Sequence, residues 1–199
     1  MAGRTAAKTV GRPREFDEDT VLEAAMGAFW EKGYEATSLA DLCRCTGLHK
    51  GSLYQTFGDK HQLFMRSLER YAEEEFRKVA AVAFDSQSPI ENLRAVVHKV
   101  CDVADEESGC LMINSMVELA PHDPDVKQFL LAAGEKRLRV MSEMIGKAQV
   151  AGEIRKELEP KKLARQLMVT LAGVATTSKG FLQQEEAVEV MDELIDSWT

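Results

Sequence analysis

The stretch that decides the fold is TGLHKGSLYQTFGDK, residues 46–60. Leu48, Leu53 and Phe57 can lie on one side of a short helix of about residues 49–56 and hold it against a core. The side chains between them are polar or cationic and would form the opposite, outward face. These outward residues are His49, Lys50, Ser52, Tyr54 and Gln55.

The outward face carries the side-chain types that contact nucleic acids. A cation, hydroxyl groups and an amide can reach phosphates and the edges of bases. Gly47 and Gly51 remove side-chain bulk that would hold the backbone away from a groove. The alternative is a solvated helix of an ordinary helical domain. The ordered pattern over the whole stretch favours a DNA-facing helix.

Local signals place two more helices before this stretch. Asp17 is a plausible N-cap of the first helix, and Gly33 ends it. Ser38 followed by Asp41 forms an approximate capping box for a short second helix, which Gly47 breaks. Two short helices joined by a glycine-containing turn, after a longer helix, are the pattern of a helix-turn-helix.

The rest of the chain also shows helical periodicity, with apolar residues recurring at three and four. The sequence therefore predicts an all-α fold of about nine helices, with a three-helix helix-turn-helix domain in residues 1–60 and a larger C-terminal helical domain in residues 61–199. The predicted helices of the larger domain lie near residues 60–84, 89–105, 109–120, 124–151, 160–179 and 185–198.

The net charge of −8 argues against nucleic-acid binding by the chain as a whole, but the charge is unevenly distributed. Residues 1–14 contain four basic residues and no acidic one, whereas the acidic excess lies in the C-terminal part. No run of 18 apolar residues predicts a membrane span, and no secretory signal is evident. We expect a cytoplasmic chain whose four cysteines are reduced thiols.

Three segments in this order resemble the DNA-binding domain of TetR-type transcriptional repressors: ATSLADL at 36–42, TGLHKGSLY at 46–54 and FGDKHQLF at 57–64. The resemblance covers about residues 14–65. It implies a homodimer that binds a palindromic double-stranded DNA operator. It also implies release of the operator when a small-molecule inducer enters the C-terminal domain.

The resemblance implies a role for each matching residue. Thr37 and Ser38 would bind a phosphate at a helix N-terminus, and Tyr54 and Lys60 would bind phosphates on either side of a groove. The basic segment at 11–14 resembles an arm that lies in the minor groove. The predicted DNA-binding residues are Arg12, Arg14, Thr37, Ser38, Leu48, His49, Lys50, Ser52, Tyr54, Gln55 and Lys60. Gln55 stands where a His is commoner in the family.

The family also places a dimer bundle on the last two helices. We therefore predict a dimer interface on the apolar stripes there, although such stripes more often pack inside one chain: Leu163, Leu167, Leu171, Val188, Met191, Leu194, Ile195 and Trp198. Apolar, Met-rich inner faces are predicted to line the inducer pocket: Phe76, Val97, Cys101, Cys110, Met112, Met116, Phe129, Met141, Met144 and Met168.

Two alternatives remain open at this level. The first is a thiol-based redox or electrophile sensor on the same scaffold, acting through Cys110 or through the Cys43 and Cys45 pair. The second is a helical small-molecule-binding protein or enzyme that does not act on DNA. No nucleophile motif, phosphate loop or metal-ligand spacing is present, so we predict no enzymatic activity, no cofactor and no metal.

Overall fold

The computed structural model describes residues 16–102 and 108–199, and within these ranges it contains nine α-helices and no strand. The helices are α1 Glu18–Lys32, α2 Leu39–Thr46, α3 Lys50–Phe57, α4 Lys60–Ala80, α5 Pro89–Cys101, α6 Leu111–Glu118, α7 Pro124–Ala151, α8 Pro160–Thr177 and α9 Gln184–Asp196. The predicted all-α class and number of helices are confirmed. No helix in these ranges has the length and apolar character needed to cross a membrane.

The helix ends near the N-terminus form where the sequence predicts them. Asp17 accepts a hydrogen bond from the Asp19 N–H at the start of α1, and Ser38 and Asp41 form a complete capping box on α2. Gly33 and Gly47 follow these two helices with positive φ angles, which L side chains rarely adopt.

Two helices end earlier than the periodicity predicts. The chain leaves α4 after Ala80 rather than at residue 84, and the Val82 N–H bonds to the Val79 carbonyl in a tighter turn. This turn buries Ala83 against the C-terminal helices. Helix α5 ends at Cys101 rather than at residue 105, and the end of its predicted range lies outside the described residues. The apolar pattern continues through both ends, so periodicity could not locate them.

One buried cluster, the N-terminal cluster, joins α1–α4 to α6 and the start of α7. Phe29 and Phe64 lie at its centre with their rings 5.2 Å apart in an edge-to-face arrangement. Its buried members are Val21, Leu22, Ala25, Met26, Phe29, Leu42, Leu53, Phe57, Leu63, Phe64, Leu68, Tyr71, Leu111, Met112, Leu119, Val126 and Leu130. The three-helix module α1–α3 therefore shares its core with helices that come much later in the chain.

A second buried cluster, the C-terminal cluster, packs α5 and the second half of α7 against α8 and α9. Its side is closed by Arg94 on α5, which donates hydrogen bonds to Asp192 and Asp196 on α9. His98 lies 2.8 Å from the same Asp192 carboxylate. Helix α7 contributes to both clusters, since Val126 and Leu130 lie in the first, and Met141, Met144, Ile145 and Ala148 lie in the second.

The predicted dimer stripes pack into this second cluster rather than lying on an outer surface of the chain. Six of the eight residues are buried within one chain: Leu163, Leu167, Leu171, Met191, Ile195 and Trp198. Val188 and Leu194 are half-buried against the same cluster. The stripes fill the space between α7, α8 and α9, which is the commoner use of a helical apolar stripe. The outward faces of α8 and α9 carry Val169, Gly173, Thr176 and Val190 instead.

Candidate nucleic-acid interface

Helix α3 presents the polar face that the sequence predicts. Leu53 and Phe57 are buried and fix the helix on the N-terminal cluster. The opposite side is exposed, and it carries His49, Lys50, Ser52 and Gln55. Leu48 is half-buried and packs against the cluster, so its main contact is with the core rather than on the outward face.

Two ammonium groups at this end of the molecule, those of Lys50 and Lys60, each lie near an aromatic ring. The Lys50 Nζ lies 5.7 Å from the centre of the Tyr54 ring, and the Lys60 Nζ lies 4.3 Å from the centre of the Tyr34 ring. Such contacts restrict a long flexible cation without neutralising its charge. Lys60 is the first residue of α4, so the two cations lie on separate elements.

Thr37 has a structural position, which corrects its predicted role at a phosphate. Its side chain is fully buried, and its hydroxyl donates to the Gly33 carbonyl at 2.6 Å and lies 3.2 Å from the Ala28 carbonyl. These contacts tie the turn after α1 to the end of that helix. The hydroxyl therefore faces away from any ligand at the surface. A buried Thr and a phosphate-binding Thr look alike in sequence, because both precede a helix.

The N-terminus of α2 already holds a carboxylate. Asp41 accepts hydrogen bonds from the Ser38 backbone and hydroxyl, and its other oxygen pairs with Lys32 and Arg44. The bonds from Ser38 and Lys32 hold the pKa of Asp41 well below its usual value. The Ser38 hydroxyl is thus engaged in the cap, and the first backbone N–H groups of α2 are the donors that a phosphate would meet.

The turn between α1 and α2 is fastened to α6 by contacts that the sequence does not reveal. The Glu118 carboxylate accepts hydrogen bonds from the Tyr34 N–H at 3.0 Å and from the Glu35 N–H at 2.8 Å. A side chain at Gly33 would meet this carboxylate, because a Cβ built there lies 2.9 Å from the Glu118 Oε2. The Trp30 indole also donates to the Gly109 carbonyl at 2.7 Å.

A second polar contact joins the start of α4 to the start of α7. The His61 Nε2 lies 2.9 Å from the Asp123 carboxylate, which also caps α7 by accepting the Asp125 and Val126 N–H groups. Burial opposes ionisation of Asp123, but the Val126 N–H and His61 outweigh it, and the net effect lowers its pKa.

His61, Asp123 and Asp125 also bring three potential metal-ligand atoms within 4.8 Å of one another. The helix N-terminus carries partial positive charge that disfavours a bound cation. We therefore interpret the group as a contact between helices rather than a metal site.

The predicted pocket residues do not come together. Val97, Cys101, Met141, Met144 and Met168 lie in or against the C-terminal cluster, and Cys110, Met112 and Phe129 lie in or against the N-terminal cluster. Phe76 and Met116 are exposed. Most of these side chains are core, which is the default use of Met and Phe at helical spacing.

One groove between α4 and α7 has the size of a ligand site. Its volume is about 510 Å³, which lies within the usual range for small-molecule pockets. Of the predicted pocket residues, only Phe76 and Phe129 line it. The remaining lining residues are Glu69, Ala72, Glu73, Arg77, Ala132, Ala133, Lys136 and Arg137. Sequence reasoning missed them because it searched for apolar inner faces, and this groove is lined largely by charged and small residues.

The four cysteines are free thiols in separate environments. Burial raises the pKa of Cys101 to about 12, and partial burial raises the pKa of Cys45. Cys110 occupies the N-cap position of α6 without a side-chain capping bond, next to Tyr71, whose pKa is raised by burial and by this thiol. The predicted DNA contacts at Arg12 and Arg14 lie outside the described residues.

Comparison with known proteins assigns both parts of the chain to one family. Residues 21–66 match the bacterial regulatory proteins of the tetR family, and residues 89–194 match a tetracyclin repressor-like C-terminal domain. The HTH-type transcriptional repressor ComR of Escherichia coli (strain K12) is 30% identical over 195 residues, which covers 96% of this chain and 93% of ComR. The uncharacterized HTH-type transcriptional regulator YezE of Bacillus subtilis (strain 168) is 31% identical over 197 residues, covering 94% and 100% of the two chains.

Solved structures give the same assignment. A cysteine mutant of the TetR family transcriptional regulator CifR, complexed with a 26-bp operator DNA, superposes with a TM-score of 0.83 at 26% identity. The match covers 95% of this chain and 100% of CifR. The chain therefore belongs to the TetR family of helix-turn-helix transcriptional repressors.

Proposed function

We propose that this chain represses transcription as a homodimer that binds a palindromic operator through α3 and releases it when a small molecule binds the C-terminal helices. The observation that carries the proposal is the exposed polar face of α3, fixed from behind by Leu53 and Phe57. A helix of this size, anchored by an apolar face, can enter a major groove.

The residues of this face divide into two roles. Lys50, Tyr54 and Lys60 contact phosphates, since the two cations lie on separate helices and each is near an aromatic ring. His49, Ser52 and Gln55 reach base edges, because they are the exposed hydrogen-bonding groups of α3. At Ser38, the phosphate contact comes from the first backbone N–H groups of α2 rather than from the Ser38 hydroxyl. Arg12 and Arg14 remain proposed minor-groove contacts.

The proposed functions belong to two separate parts of the chain. We assign DNA binding to residues 1–60, and ligand binding and dimerisation to residues 61–199. The relatives support this assignment, because ComR is named as a transcriptional repressor and CifR is solved on operator DNA. No catalytic step forms part of the proposal.

A dimer is required by the geometry of the operator. Half-sites of a palindrome lie about 34 to 36 Å apart, so two copies of α3 are needed. We assign the dimer surface to the outward faces of α8 and α9, where Val169 is 74% exposed and Val190 is 43% exposed. Gly173 lies one turn after Val169 and lets a second helix approach closely.

The DNA-binding proposal is tested by selecting bound sequences from a random double-stranded pool and then measuring affinity for the enriched sequence. Lys50→Ala should weaken binding about tenfold and reduce the salt dependence by about one phosphate contact. Lys161→Ala, an exposed lysine on α8, is the matched control and should leave both quantities unchanged. If the pool yields no enriched sequence at low salt, the proposal fails.

The dimer proposal is tested by light scattering on the purified chain. The parent protein should have about twice the 22.1 kDa mass of one chain, and Val169→Glu should shift it to the single-chain mass. Val150→Glu introduces the same change at an exposed valine of α7 and should leave the dimer intact. Dissociation by Val150→Glu alone would place the interface on α7.

The thiol-sensing alternative is not adopted. Partial burial raises the pKa of Cys45, which lowers the thiolate fraction of one member of the Cys43 and Cys45 pair. Release of the operator by an oxidant, abolished by Cys110→Ser, is the result that would favour the alternative.

A further inference from the structure

We infer that the groove between α4 and α7 binds an amphipathic anion, with its acidic group against Arg137 and Lys136 and its aromatic or other flat apolar body against Phe76 and Phe129. This inference rests on the proposed function, because it names the chemical class of the inducer. Three observations carry it: an incompletely satisfied guanidinium, an excess of unpaired cations and an exposed aromatic ring.

The first observation is the environment of Arg137. Its side chain is half-buried, and one guanidinium nitrogen donates to the Met112 sulfur at 3.0 Å. A thioether is a weak acceptor, whereas a guanidinium carries five N–H donors in a fixed planar arrangement. A carboxylate, sulfonate or phosphate could accept two of these hydrogen bonds at once, which a thioether cannot do.

The second observation is the charge around the groove. Arg77, Lys136 and Arg137 line it, and within residues 16–102 and 108–199 none of them forms an ion pair. By contrast, Arg94 is paired with Asp192 and Asp196, and Arg70 is paired with Asp19 and Glu74.

Two carboxylates also line the groove, and both belong to α4: Glu69 and Glu73. An anion is therefore directed towards the α7 side, where Lys136 and Arg137 stand. In a chain of net charge −8, this local excess of cations selects for negative ligands.

The third observation is the apolar part of the lining. Phe76 is 41% exposed, and the Lys136 Nζ lies 4.1 Å from the centre of its ring. Ala72, Ala132 and Ala133 provide small side chains beside Phe76 and Phe129, which leaves room for a ring to lie flat. The shape and the charge together fit a molecule with one acidic end and one planar apolar end.

The position of Met112 links this site to the DNA-binding end. Met112 lies on α6, and the last residue of α6 is Glu118, which binds the turn after α1. An acidic ligand that takes the Arg137 guanidinium removes its contact with α6. Ligand binding in the groove therefore changes the contacts of α6, the helix whose Glu118 binds the turn after α1.

The test compares two fluorescent probes with the same ring system on the full chain. Anilinonaphthalene sulfonate carries an acidic group, and N-phenylnaphthylamine does not. We expect the parent protein to bind the sulfonate more tightly than the neutral probe. Arg137→Gln should weaken sulfonate binding about tenfold and leave the neutral probe unchanged, because only the charged hydrogen bonds are lost.

The controls separate charge, site and folding. Arg139→Gln removes an exposed arginine from the same helix and should change neither affinity. Arg137→Lys retains the charge and should keep part of the preference for the sulfonate. Phe76→Ala should weaken both probes, since both rings stack there. Equal effects of Arg137→Gln on the two probes, or no effect on either, would overturn the inference.

A separate measurement distinguishes failure of this inference from failure of the proposed function. Operator affinity is measured without any probe on the parent protein, where it reports on the repressor proposal alone. Loss of the sulfonate preference with intact operator binding supports the anion site. Intact operator binding without any preference rejects the anion site and leaves the repressor proposal standing.

Discussion

Both buried clusters are built from apolar side chains, but these come from different parts of the chain. The buried members of the C-terminal cluster all come from Ala83 onwards, so helices from one half of the chain supply nearly all of it. The N-terminal cluster combines the three-helix module with Leu111, Met112 and Leu119 in and after α6, and with Val126 and Leu130 of α7. The core of the DNA-binding end is therefore completed by residues from later helices.

This difference gives the proposed inducer a route to α3. A module with an independent core would be insensitive to movements of later helices. Here Glu118 and Leu119 at the end of α6 contact the turn after α1 and the shared core. Any ligand that prefers one arrangement of α6 over another shifts the three-helix module by that preference.

The largest expected effect tests whether the two clusters unfold as one unit. Phe29→Ala removes a fully buried ring from the N-terminal cluster and should cost about 3–5 kcal/mol of unfolding free energy. Because α7 contributes to both clusters, urea unfolding followed by circular dichroism and by tryptophan fluorescence should still show one transition. Two separate transitions in the variant would show that the C-terminal cluster is stable alone. The two clusters would then belong to two independently folding domains.

The next effect concerns the buried hydroxyl of Thr37. Thr37→Val keeps the volume but leaves the Gly33 carbonyl without its donor, which should cost about 1–3 kcal/mol of unfolding free energy. Thr37→Ser keeps the hydroxyl and serves as the control, with a smaller loss. Neither variant should change the salt dependence of operator binding, since the hydroxyl does not reach the surface. A lower salt dependence in Thr37→Val, with that of Thr37→Ser unchanged, would restore the predicted phosphate contact.

The contact between α6 and the turn after α1 should contribute less to stability than the Thr37 hydroxyl. It should contribute more to DNA binding. Glu118→Gln replaces two charge-assisted hydrogen bonds with weaker ones and should cost about 1–2 kcal/mol of unfolding free energy. Operator affinity should fall several-fold because the turn is no longer held. Glu35→Gln is the matched control, because only the backbone of Glu35 takes part in this contact. Unchanged operator affinity in Glu118→Gln would mean that the shared core alone positions the module.

The smallest effect is a dependence on acid. The pKa of Asp123 is lowered in the folded chain from an ordinary value of 3.8, so its contribution to stability is complete above that value. The contribution is lost as the pH falls from about 3.8 through the lower folded pKa. Asp123→Asn should therefore flatten the fall in unfolding free energy in this window, measured by urea titration at several pH values. Asp123 is the group to test because the Val126 N–H and His61 lower its pKa. If Asp123→Asn left the pH dependence of the unfolding free energy unchanged, Asp123 would not be the source of that dependence.

Sequence reasoning succeeded where the signal is local. Asp17, Ser38 with Asp41, Gly33 and Gly47 mark helix ends through contacts within a few residues, and the structure has all of them. The outward face of α3 was predictable for the same reason, because Leu53 and Phe57 determine which side is buried.

Long-range contacts could not be predicted in this way. The pairing of Glu118 with Tyr34 joins residues 84 positions apart, and no local pattern marks it. The stripes of α8 and α9 show that periodicity identifies an apolar face without identifying what covers it. The α4–α7 groove was missed because Lys136 and Arg137 read as ordinary surface residues until Phe76 and Met112 are placed beside them.

Because α4 is long, a small tilt of this helix at the groove produces a larger displacement at its N-terminal end. Phe76 lies sixteen residues after Lys60 on this one helix, a distance of about 24 Å at 1.5 Å per residue. A tilt of about 5° around Phe76 moves Lys60 by about 2 Å, and two-fold symmetry in the proposed dimer doubles the change in separation to about 4 Å. That exceeds the rise of about 3.4 Å between base pairs. In the proposed dimer, such a small rotation of α4 would be enough to move the two α3 helices out of register with an operator.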